Sequence, residues 1–587
     1  MFAFDTASNQ QILVLDWQVP NNRIETIILL DGTYTYNLLA ANLFSLPGFL
    51  GNFSWSSSGI LPPGVTGAEI DEALSFYTGL SQDLEAGNLG TNANGTLGSD
   101  DLAGSSFDDK MNGLAGSDSL SGRDGDDFLI GGSGSDSRDG GSGLDVAGFT
   151  SSRGEHVIAP DGSTVQHGAD VDTLVSIEGR CFREASYDGA YQVGQVQFAD
   201  VNGDGRTDAI FQTEDNRFWL SLSNGDGLDP AFQAFDHGLT FQEGQIQFAE
   251  VNGDGFMDMI MQGTTGKAVG PQANGTQADG NPFQGFWVSY GSESGFQGAF
   301  EGATHGGTFE RGRVQYADID GDGYADLIAQ YTTAKAVGPS ANGLQADGKP
   351  FQGFWVNWGS ESAGFKPGSL EIATHGGSFQ EGQVQYADID GDGRDDLVMQ
   401  ATGFAIGDDG QPLQGFWVST STGSGFGNPY LAINDHAGPY MRGQAQYADI
   451  NADGRDDLMV QLTEGTEQAI YVSLSNLDAG EGRYEWDAPV RAAAFNGSYQ
   501  EGQVHYADIN GDNRADLVAQ DDSNHFRVAF SNGATFGARQ DLFHHVGDFE
   551  RGQAAFADVN GDGADDLLFL DDDNDLYLSV AGEDLFT

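Results

Sequence analysis

The sequence predicts an all-β protein, most of which is a seven-bladed β-propeller. Two observations support this prediction. One acidic loop recurs seven times between residues 200 and 566, and short strand-like runs flank every copy. A variable hairpin, an aromatic strand and a further short strand follow each loop, so the repeating unit contains four strands.

Residues 1–94 form an N-terminal region in which no motif identifies the fold or a function. Strand-like runs (QQILVLDW and ETIILLDGTYTYNLL) precede AEIDEALSFYTGL, which predicts a short helix after Gly67. We therefore expect a small mixed region at the start of the chain.

Residues 95–148 repeat in units of nine residues. The units read GTLGSDDLA, GSSFDDKMN, GLAGSDSLS, GRDGDDFLI, GGSGSDSRD and GGSGLDVAG. Their pattern, G-x-x-G-x-D-x-U-x with U a large apolar residue, resembles the RTX calcium-binding nonapeptide family. The resemblance implies a short parallel β-roll, in which glycine-rich turns hold Ca²⁺ and every second strand residue points into a thin core. A flexible Gly/Ser/Asp linker is the alternative.

The resemblance also implies which residues of the roll have which role. The expected calcium-ligating carboxylates are those of Asp100, Asp109, Asp118, Asp127, Asp136 and Asp145. The expected core residues are Leu102, Met111, Leu120 and Leu129. Arg138 and Ala147 stand where the fifth and sixth turns should supply aliphatic residues, and Phe107 replaces a turn glycine. We therefore expect the best-formed sites in the middle of the roll.

A connector, residues 149–180, separates the roll from the propeller, residues 181–587. Its DVDTLVSIEGRCF segment resembles the sequence that often follows RTX repeats. A fourth strand precedes each new propeller unit, but the sequence ends shortly after the third strand of the last unit. We therefore predict that residues 181–187 pair with residues 575–580, which would close the ring and remove an open sheet edge.

Each acidic loop has the ligand spacing of a calcium site. In the first copy, Asp200, Asn202, Asp204 and Asp208 occupy loop positions 1, 3, 5 and 9, and the Arg206 carbonyl occupies position 7. Oxygen ligands at this spacing, with glycine at the sharp turn, suit a hard cation that needs six to eight oxygens. An EF-hand would need glutamate at position 12 and flanking helices, but position 12 is apolar here and the flanks resemble strands. A solvated turn without a cation is the alternative.

The other six loops have predicted ligands at the same positions, so we expect several Ca²⁺ ions per chain. These ligands are Glu250, Asn252, Asp254, Phe256 and Asp258; Asp318, Asp320, Asp322, Tyr324 and Asp326; Asp388, Asp390, Asp392, Arg394 and Asp396; Asp449, Asn451, Asp453, Arg455 and Asp457; Asp508, Asn510, Asp512, Arg514 and Asp516; and Asp558, Asn560, Asp562, Ala564 and Asp566. Glu250, Ala452 and Asn513 depart from the consensus, and we expect sites two and six to be the least regular.

The sequence around the loops repeats as well, with an aromatic residue nine positions and a glycine six positions before each first ligand. These repeats resemble the FG-GAP/VCBS family, which includes the propeller heads of integrin α subunits and several calcium-containing lectins. The resemblance covers about residues 185–587. The full expectation is an all-β chain in which a seven-bladed propeller follows a short parallel β-roll and a small mixed N-terminal region.

In this family the calcium loops lie on one face of the propeller, and the connections between second and third strands emerge on the other. Three consecutive units carry long inserts in that connection, and the first two inserts both contain KAVGP and ANG. Loops often carry function, so we take as candidate ligand-binding residues Lys267, Lys335, Asn274, Asn342, Phe283 and Phe351. Packing of the inserts on one another is the alternative. A recurring histidine (His237, His305, His375, His436 and His545) is interpreted either as a packing residue or as part of the same face.

Composition narrows the function. With 88 acidic and 24 basic residues the formal net charge is −64, which makes nucleic acids and anionic membranes poor partners. Cys181 is the single cysteine, so no intrachain disulfide can form, and no 18-residue apolar run predicts a membrane span. Because RTX proteins leave bacteria by type I secretion without a cleaved N-terminal signal, the resemblance implies an extracellular location.

The sequence carries no recognisable catalytic motif. It lacks HExxH and GxSxG, and nearly all of its paired acids fall in the calcium loops. The preferred interpretation is therefore a non-enzymatic, secreted, monomeric adhesion or lectin-like module that binds an extracellular glycan or a cell-surface protein. The alternatives are an extracellular polysaccharide lyase or hydrolase and a structural cell-surface protein.

Overall fold

The chain is built from β-strands. The computed structural model describes residues 2–5, 11–18, 23–29, 35–39, 92–186, 196–212, 217–236, 246–265, 283–305, 314–333, 351–362, 364–366, 370–375, 384–406, 412–434, 445–464, 467–478, 483–496, 504–520, 525–544, 554–570 and 575–585. These residues contain 46 strands and one 3-10 turn, Arg153–Glu155, which confirms the all-β class. The helix predicted after Gly67 lies outside the described residues. In the part that the structure describes, no helix is long and apolar enough to cross a membrane.

The N-terminal strands form an antiparallel meander in the order β1-β2-β3-β4. They are β1 (Phe2–Asp5), β2 (Gln11–Gln18), β3 (Arg23–Leu29) and β4 (Thr35–Leu39). Together with residues 104–109 they belong to a compact unit distinct from the rest of the chain.

The nonapeptide region folds as the expected parallel β-roll. Its strands are β5 (Asn92–Asn94), β6 (Asp101–Ala103), β7 (Lys110–Asn112), β8 (Ser119–Asp124), β9 (Phe128–Ile130), β10 (Ser137–Ser142) and β11 (Val146–Phe149). Even-numbered strands β6, β8 and β10 pair in parallel in one sheet, and odd-numbered strands β7, β9 and β11 pair in parallel in the other. Leu120 pairs with Arg138 and Leu129 with Ala147, eighteen positions apart, so two nonapeptides make one turn of the roll.

The connector extends both sheets of the roll. Its strands are β12 (His156–Ile158), β13 (Thr164–His167), β14 (Asp170–Val175) and β15 (Gly179–Ser186). Strand β14 adds to β10 in parallel, and the hairpin of β12 and β13 continues that sheet in antiparallel fashion. Strand β15 adds to β11 in parallel and so continues the second sheet.

Six antiparallel four-stranded sheets follow as propeller blades, and blades three and five each carry an extra two-stranded ribbon. The first three contain β16 (Val196–Ala199), β17 (Asp208–Gln212), β18 (Arg217–Ser221) and β19 (Phe232–Asp236); β20 (Ile246–Ala249), β21 (Asp258–Thr265), β22 (Phe283–Ser289) and β23 (Phe300–His305); and β24 (Val314–Ala317), β25 (Asp326–Thr333), β26 (Phe351–Asn357) and β29 (Leu370–His375), with the ribbon β27 (Gly359–Ser360) and β28 (Gly364–Phe365). The next three contain β30 (Val384–Ala387), β31 (Asp396–Ile406), β32 (Pro412–Ser419) and β33 (Tyr430–Asn434); β34 (Ala445–Ala448), β35 (Asp457–Glu464), β36 (Glu467–Ser473) and β39 (Val490–Asn496), with the ribbon β37 (Ser475–Asp478) and β38 (Arg483–Trp486); and β40 (Val504–Ala507), β41 (Asp516–Gln520), β42 (His525–Ala529) and β43 (Gln540–His544).

The predicted count of seven blades is wrong, because six blades stand as separate sheets among the described residues. The last strands, β44 (Ala554–Ala557), β45 (Asp566–Leu570) and β46 (Asp575–Ser579), belong to an eight-stranded sheet that runs through β15 into the roll. We call β44, β45, β46 and β15 the closing sheet. Phe182 pairs with Leu578 and Ser186 with Asp575 in antiparallel register, which confirms the predicted ring closure. The last unit merges with the roll because its fourth strand comes from upstream and already pairs with β11.

Apolar side chains pack between neighbouring sheets. One cluster joins Ile210 and Leu220 of the first blade to Met259 and Met261 of the second. Another joins the roll, the sixth blade and the closing sheet, and its members include Phe128, Val146, Cys181, Phe526, Phe543, Leu567, Phe569 and Tyr577. Roll and propeller therefore share one hydrophobic core.

Candidate calcium sites

Each acidic loop joins the first and second strands of its unit and wraps its backbone around the carboxylate at position 1. In the first loop, Asp200 accepts hydrogen bonds from the backbone N–H groups of Asp204 (3.1 Å) and Gly205 (2.8 Å). In the second loop, the longer Glu250 side chain accepts from Gly253 (2.6 Å) and Gly255 (2.5 Å). The Glu250 substitution therefore preserves the local fold of the loop.

Carboxylates of several positions converge within single loops. Possible ligand oxygens of Asp318, Asp320 and Asp326 lie within 4.8 Å of one another, and so do those of Asp388, Asp390 and Asp392. The Oδ1 atom of Asp320 is buried without a hydrogen-bond partner. Burial and the neighbouring charge of Asp322 raise the pKa of Asp320. A cluster of close, partly buried anions with an unsatisfied oxygen fits a bound Ca²⁺ ion.

The position-9 aspartate is buried in every loop, and in five of the seven loops two backbone N–H groups donate to it. In the first loop, Asp208 accepts from Val201 N at 2.9 Å and from Ser223 N at 2.8 Å. In the last loop, Asp566 accepts from Val559 N at 2.9 Å and from Ala581 N at 2.8 Å. This residue therefore ties the calcium loop to the end of the third strand. Each oxygen keeps a second lone pair for a cation.

The position-9 side chains resist ionisation in the absence of calcium. Burial, together with the other carboxylates of the loop, raises the pKa to about 7 for Asp208, Asp258, Asp457 and Asp566. The same causes raise the pKa of Asp326 and Asp396 to about 8 and that of Asp516 to about 6. A bound divalent cation would favour the ionised form, so calcium binding at these residues would release protons.

The sequence predicted that position 7 contributes its backbone carbonyl, but where position 7 is arginine its side chain also takes part in the loop. In four loops its guanidinium pairs with the position-5 carboxylate of the same loop. The pairs are Arg206–Asp204, Arg394–Asp392, Arg455–Asp453 and Arg514–Asp512. These partly buried pairs supply a positive charge at the position-5 ligand, and a bound cation would compete with them.

The seven loops are hydrogen-bonded to one another in a closed ring. The N–H at position 8 of each loop donates to the position-1 carbonyl of the preceding loop. The bonds run from Thr207 to Asp558, Met257 to Asp200, Ala325 to Glu250, Asp395 to Asp318, Asp456 to Asp388, Ala515 to Asp449 and Asp565 to Asp508, at 2.6 to 3.2 Å. The bond from Thr207 to Asp558 links the first blade to the closing sheet. Each predicted calcium loop is thus bonded to the next through its position-1 residue, whose side chain is also a predicted calcium ligand.

Three position-8 carboxylates, which the sequence analysis missed, reinforce this ring. Asp395, Asp456 and Asp565 accept hydrogen bonds from the backbone N–H groups of Asp318 (2.9 Å), Asp388 (3.0 Å) and Asp508 (2.9 Å). Burial raises the pKa of all three, with Asp456 at about 6. The doubled aspartate at positions 8 and 9 was the available signal in the sequence.

In the roll, five of the six predicted ligands form two ladders, one along each edge. The backbone N–H of Asp118 donates to Asp136 Oδ1, and that of Asp127 donates to Asp145 Oδ1, both at 2.8 Å. Asp100 N likewise donates to Asp118 Oδ1 at 2.8 Å. The second carboxylate oxygens of Asp118, Asp136 and Asp145 are buried without a hydrogen-bond partner. Stacked carboxylates with one free buried oxygen each fit a row of Ca²⁺ ions between the turns.

Glycine is required at the start of these turns because the ligand carboxylate occupies the space of a Cβ atom. A Cβ on Gly113 would lie 2.5 Å from Asp118 Oδ2, and those on Gly131 and Gly140 would lie still closer to Asp136 and Asp145. Asp109, in the compact unit that includes residues 104–109, accepts from Ser105 N at 2.6 Å. The same bond is found at Asp100, where the backbone N–H four residues earlier, that of Thr96, donates to the carboxylate at 2.6 Å.

Both ladders continue beyond the nonapeptide run through residues that the sequence analysis missed. Asp136 N donates to Asp172 Oδ1, and Asp145 N donates to Glu178 Oε2, each at 2.9 Å. The separations of 36 and 33 residues break the eighteen-residue period, so the repeat pattern could not reveal these partners. The acidic residues of DVDTLVSIEG were the only signal.

Arg138 was expected to interrupt the apolar core of the roll, but it does not, because its guanidinium has polar partners inside the core. Arg138 is fully buried, and its guanidinium pairs with Asp172, donates to Gly148 O at 3.0 Å and lies 4.3 Å above the Phe149 ring. Ala147 is also fully buried, and Leu102 is partly buried. The guanidinium neutralises Asp172 at the end of the ladder, whereas Asp118 and Asp136 each keep a buried oxygen without a hydrogen-bond partner.

Two of the six candidate ligand-binding residues of the inserts belong to described strands. Lys267, Lys335, Asn274 and Asn342 lie outside the described residues. Phe283 and Phe351 begin strands β22 and β26, where they pair with Thr265 and Thr333, but their side chains lie outside the described part. His305 and His375 end strands β23 and β29, and the side chains of the recurring histidines lie outside it as well.

Comparison with known families confirms both repeat assignments. The FG-GAP-like repeat family matches residues 190–261 and 508–569. The RTX calcium-binding nonapeptide repeat family matches residues 94–129, 103–137 and 112–147. The chain therefore carries two kinds of repeat that are typical of non-enzymatic proteins, and its RTX repeats, which are typical of type I secreted proteins, indicate Ca²⁺ binding. No curated protein sequence shows significant similarity to the chain.

Several solved structures match parts of the chain at low sequence identity. The Tc holotoxin pore of Photorhabdus luminescens is 14% identical, with a TM-score of 0.35 over 65% of this chain and 17% of its own. BBS1N in complex with ARL6DN is 9% identical, with a TM-score of 0.34 over 68% of this chain and 94% of its own. A rhamnogalacturonan lyase of Bacillus licheniformis is 12% identical, with a TM-score of 0.26 over 68% of this chain and 91% of its own. Similarity at this level carries no functional argument.

Proposed function

We propose that the protein is a secreted, calcium-stabilised binding module that recognises an extracellular glycan without cleaving it. The observation that carries the proposal is a pair of lengthened hairpins in neighbouring blades, on the side away from the calcium loops. Strands β21 and β25 each run for eight residues from the position-9 aspartate, as β35 does, and β31 runs for eleven, whereas β17 and β41 run for five.

The lengthened strands carry the inserts away from the metal sites. At about 3.3 Å per residue, the far end of an eight-residue strand lies roughly 25 Å from the loop where it begins. Thr265 pairs with Phe283 and Thr333 with Phe351, so the two inserts leave equivalent points of their blades. The blades are neighbours, since Ala325 N donates to Glu250 O at 2.6 Å.

The insert sequences suit a sugar ligand. Both contain KAVGP and ANG segments, so adjacent blades present the same ammonium, amide and carbonyl groups twice. Sugar recognition uses such polar groups beside an apolar platform, a role that we assign to Phe283 and Phe351. Calcium acts indirectly in this proposal, because the ring of loops holds the blades in register.

A glycan array tests the proposal. We expect saturable binding by the calcium-loaded protein, loss of binding after calcium is stripped, and loss of binding in the Lys267→Ala/Lys335→Ala double variant. Lys366→Ala is the matched control, because Lys366 Nζ lies 3.7 Å from Asp322, at the calcium end of the third blade. Full binding by the double variant would place the site elsewhere, and release of shorter sugars from a bound glycan would favour an enzyme.

A further inference from the structure

The roll and the sixth blade meet at a cluster of two histidines and one aspartate. Asp126 lies in the turn between β8 and β9, His525 begins β42, and His544 ends β43. The two histidines are directly opposite each other across the β42–β43 pair, and their rings stack with centroids 4.2 Å apart. Three separate segments thus bring ligand-type side chains to one point.

We propose that Asp126, His525 and His544 form a binding site for a divalent first-row transition metal ion, with Zn²⁺ as the expected occupant. The ligand atoms all lie within 4.8 Å of one another. Asp126 Oδ2 lies 3.0 Å from His525 Nε2 and 3.5 Å from His544 Nδ1. Ligands about 2.0–2.2 Å from a tetrahedral ion are about 3.3–3.6 Å apart, so these separations need only a small adjustment.

The donor set distinguishes this site from the calcium sites of the same chain. Ca²⁺ takes oxygen ligands, whereas two imidazoles and one carboxylate suit Zn²⁺ and its neighbours in the first transition row. Three protein ligands leave a fourth position for water. His544 is 3% exposed, while the Asp126 side chain, at 23%, leaves a path for the ion.

One neighbouring group orients a ligand for metal binding, and another competes with the metal for a ligand. Leu144 N donates to Asp126 Oδ1 at 2.8 Å, which fixes the carboxylate with Oδ2 toward the histidines. Arg527, however, lies with a guanidinium nitrogen 3.0 Å from His525 Nδ1. Arginine can only donate, so in the metal-free protein Nδ1 accepts and the ring proton sits on Nε2, facing Asp126.

Metal binding must therefore exchange one interaction for another. A metal on Nε2 requires the ring proton on Nδ1. Arg527 then loses its hydrogen bond to His525. It retains its ion pair with Asp541, which its Nε contacts at 2.8 Å. The proton moves within the imidazole, and none is released at this residue. The competition predicts that Arg527→Gln, whose side-chain carbonyl can accept from Nδ1–H, binds the metal more tightly than the natural protein.

Calorimetric titration with Zn²⁺, in the presence of excess Ca²⁺, tests the site on the full chain. We expect one saturable site, a Zn²⁺-dependent rise in the melting temperature, and visible absorption typical of four-coordinate Co²⁺ when Co²⁺ is used instead. Asp126→Asn and His544→Asn keep hydrogen-bonding capacity and shape but remove a ligand, so each should raise the Zn²⁺ Kd by at least about 100-fold, the upper end of the effect of losing an outer-shell partner.

The control variant is Asp124→Asn, which removes one exposed carboxylate at the end of β8, two residues before Asp126, and should leave Zn²⁺ binding unchanged. Circular dichroism and calcium-dependent melting confirm folding of every variant. Absence of saturable Zn²⁺ binding in the natural protein would overturn the proposal. Equal binding by the natural protein and both ligand variants would overturn it too, since the metal would then reside on other acidic groups.

Discussion

Position 4 of the calcium loop shows how one backbone angle constrains residue choice. Six loops have glycine there, with φ between 68° and 78°, and the fifth loop has Ala452 at φ 59°. A side chain with a Cβ atom meets a steric penalty in this left-handed region. In the second loop a Cβ would also collide with the Tyr324 ring, so glycine is required there for space as well.

Ala452→Gly should therefore stabilise the propeller, because it relieves backbone strain without removing a ligand. We expect a gain of about 0.5–1 kcal/mol after the added chain entropy of glycine is subtracted. Asn513→Gly is the control, since Asn513 also has a positive φ, of 61°, but asparagine tolerates that region. The shift of the thermal midpoint in excess calcium measures both, and a lower midpoint for Ala452→Gly would contradict the strain argument.

At the same scale, sequence reasoning succeeded where a motif repeats and failed where a partner is unique. The loop spacing placed Asp318, Asp320 and Asp326 together, as the structure shows. A consensus that expects an aliphatic residue at Arg138 could not indicate that Asp172 lies within reach, because that partner follows an irregular hairpin. The Asp126, His525 and His544 cluster was invisible for the same reason: 398 residues, which include the rest of the roll, the connector and most of the propeller, separate Asp126 from His525.

At the scale of elements, the local pattern predicted strands and their order but not which sheets merge. Strand β15 has two neighbours, β11 in parallel and β46 in antiparallel register. Pairing with β46 followed from the missing fourth strand of the last unit. Pairing with β11 depends on how the connector folds back along the roll, which no periodic pattern encodes. Six separate blades and one shared sheet are the result.

Because β15 is shared, damage to it should spread in both directions. Phe182 is fully buried and stacks on Phe149 of the roll at 4.7 Å, while its backbone pairs with Leu578. Phe182→Ala should cost about 3–5 kcal/mol, as for other buried phenylalanines. We expect faster hydrogen exchange in both β11 and β46, measured by mass spectrometry.

Leu120→Ala is the matched control, since Leu120 is 1% exposed in the roll core but lies on β8, outside the shared sheet. Its effect should remain within the roll. If Phe182→Ala left the protection of β46 unchanged, the strand would not transmit stability between the roll and the propeller.

At the scale of the whole molecule, charge and calcium must be considered together. The formal net charge of −64 opposes compaction, and the seven loops concentrate carboxylates in one hydrogen-bonded ring. Bound cations would reduce this repulsion at the places where the blades contact one another. Removal of calcium should therefore lower the stability of the ring as a unit and not that of single loops.

The pH dependence of this effect has a definite sign. In the calcium-free protein, burial and neighbouring carboxylates raise the pKa of Asp208 to about 7 and those of Asp326 and Asp396 to about 8, well above the ordinary 3.8. Protonation of these groups favours the folded state, so their ionisation destabilises it progressively as pH rises from about 4 to about 8. If these aspartates ligate calcium as predicted, the ionised forms are the ligands, and calcium affinity should increase over the same range.

We therefore expect the melting temperature of calcium-stripped protein to fall between pH 5 and pH 8, while that of calcium-loaded protein rises or stays level. The difference between the two should widen steadily with pH, because the same carboxylates repel one another without calcium and bind it when it is present. Differential scanning calorimetry at matched ionic strength measures the difference, and added monovalent salt controls for general charge screening. A difference that stayed constant from pH 5 to pH 8 would mean that the buried position-9 aspartates do not couple calcium binding to folding.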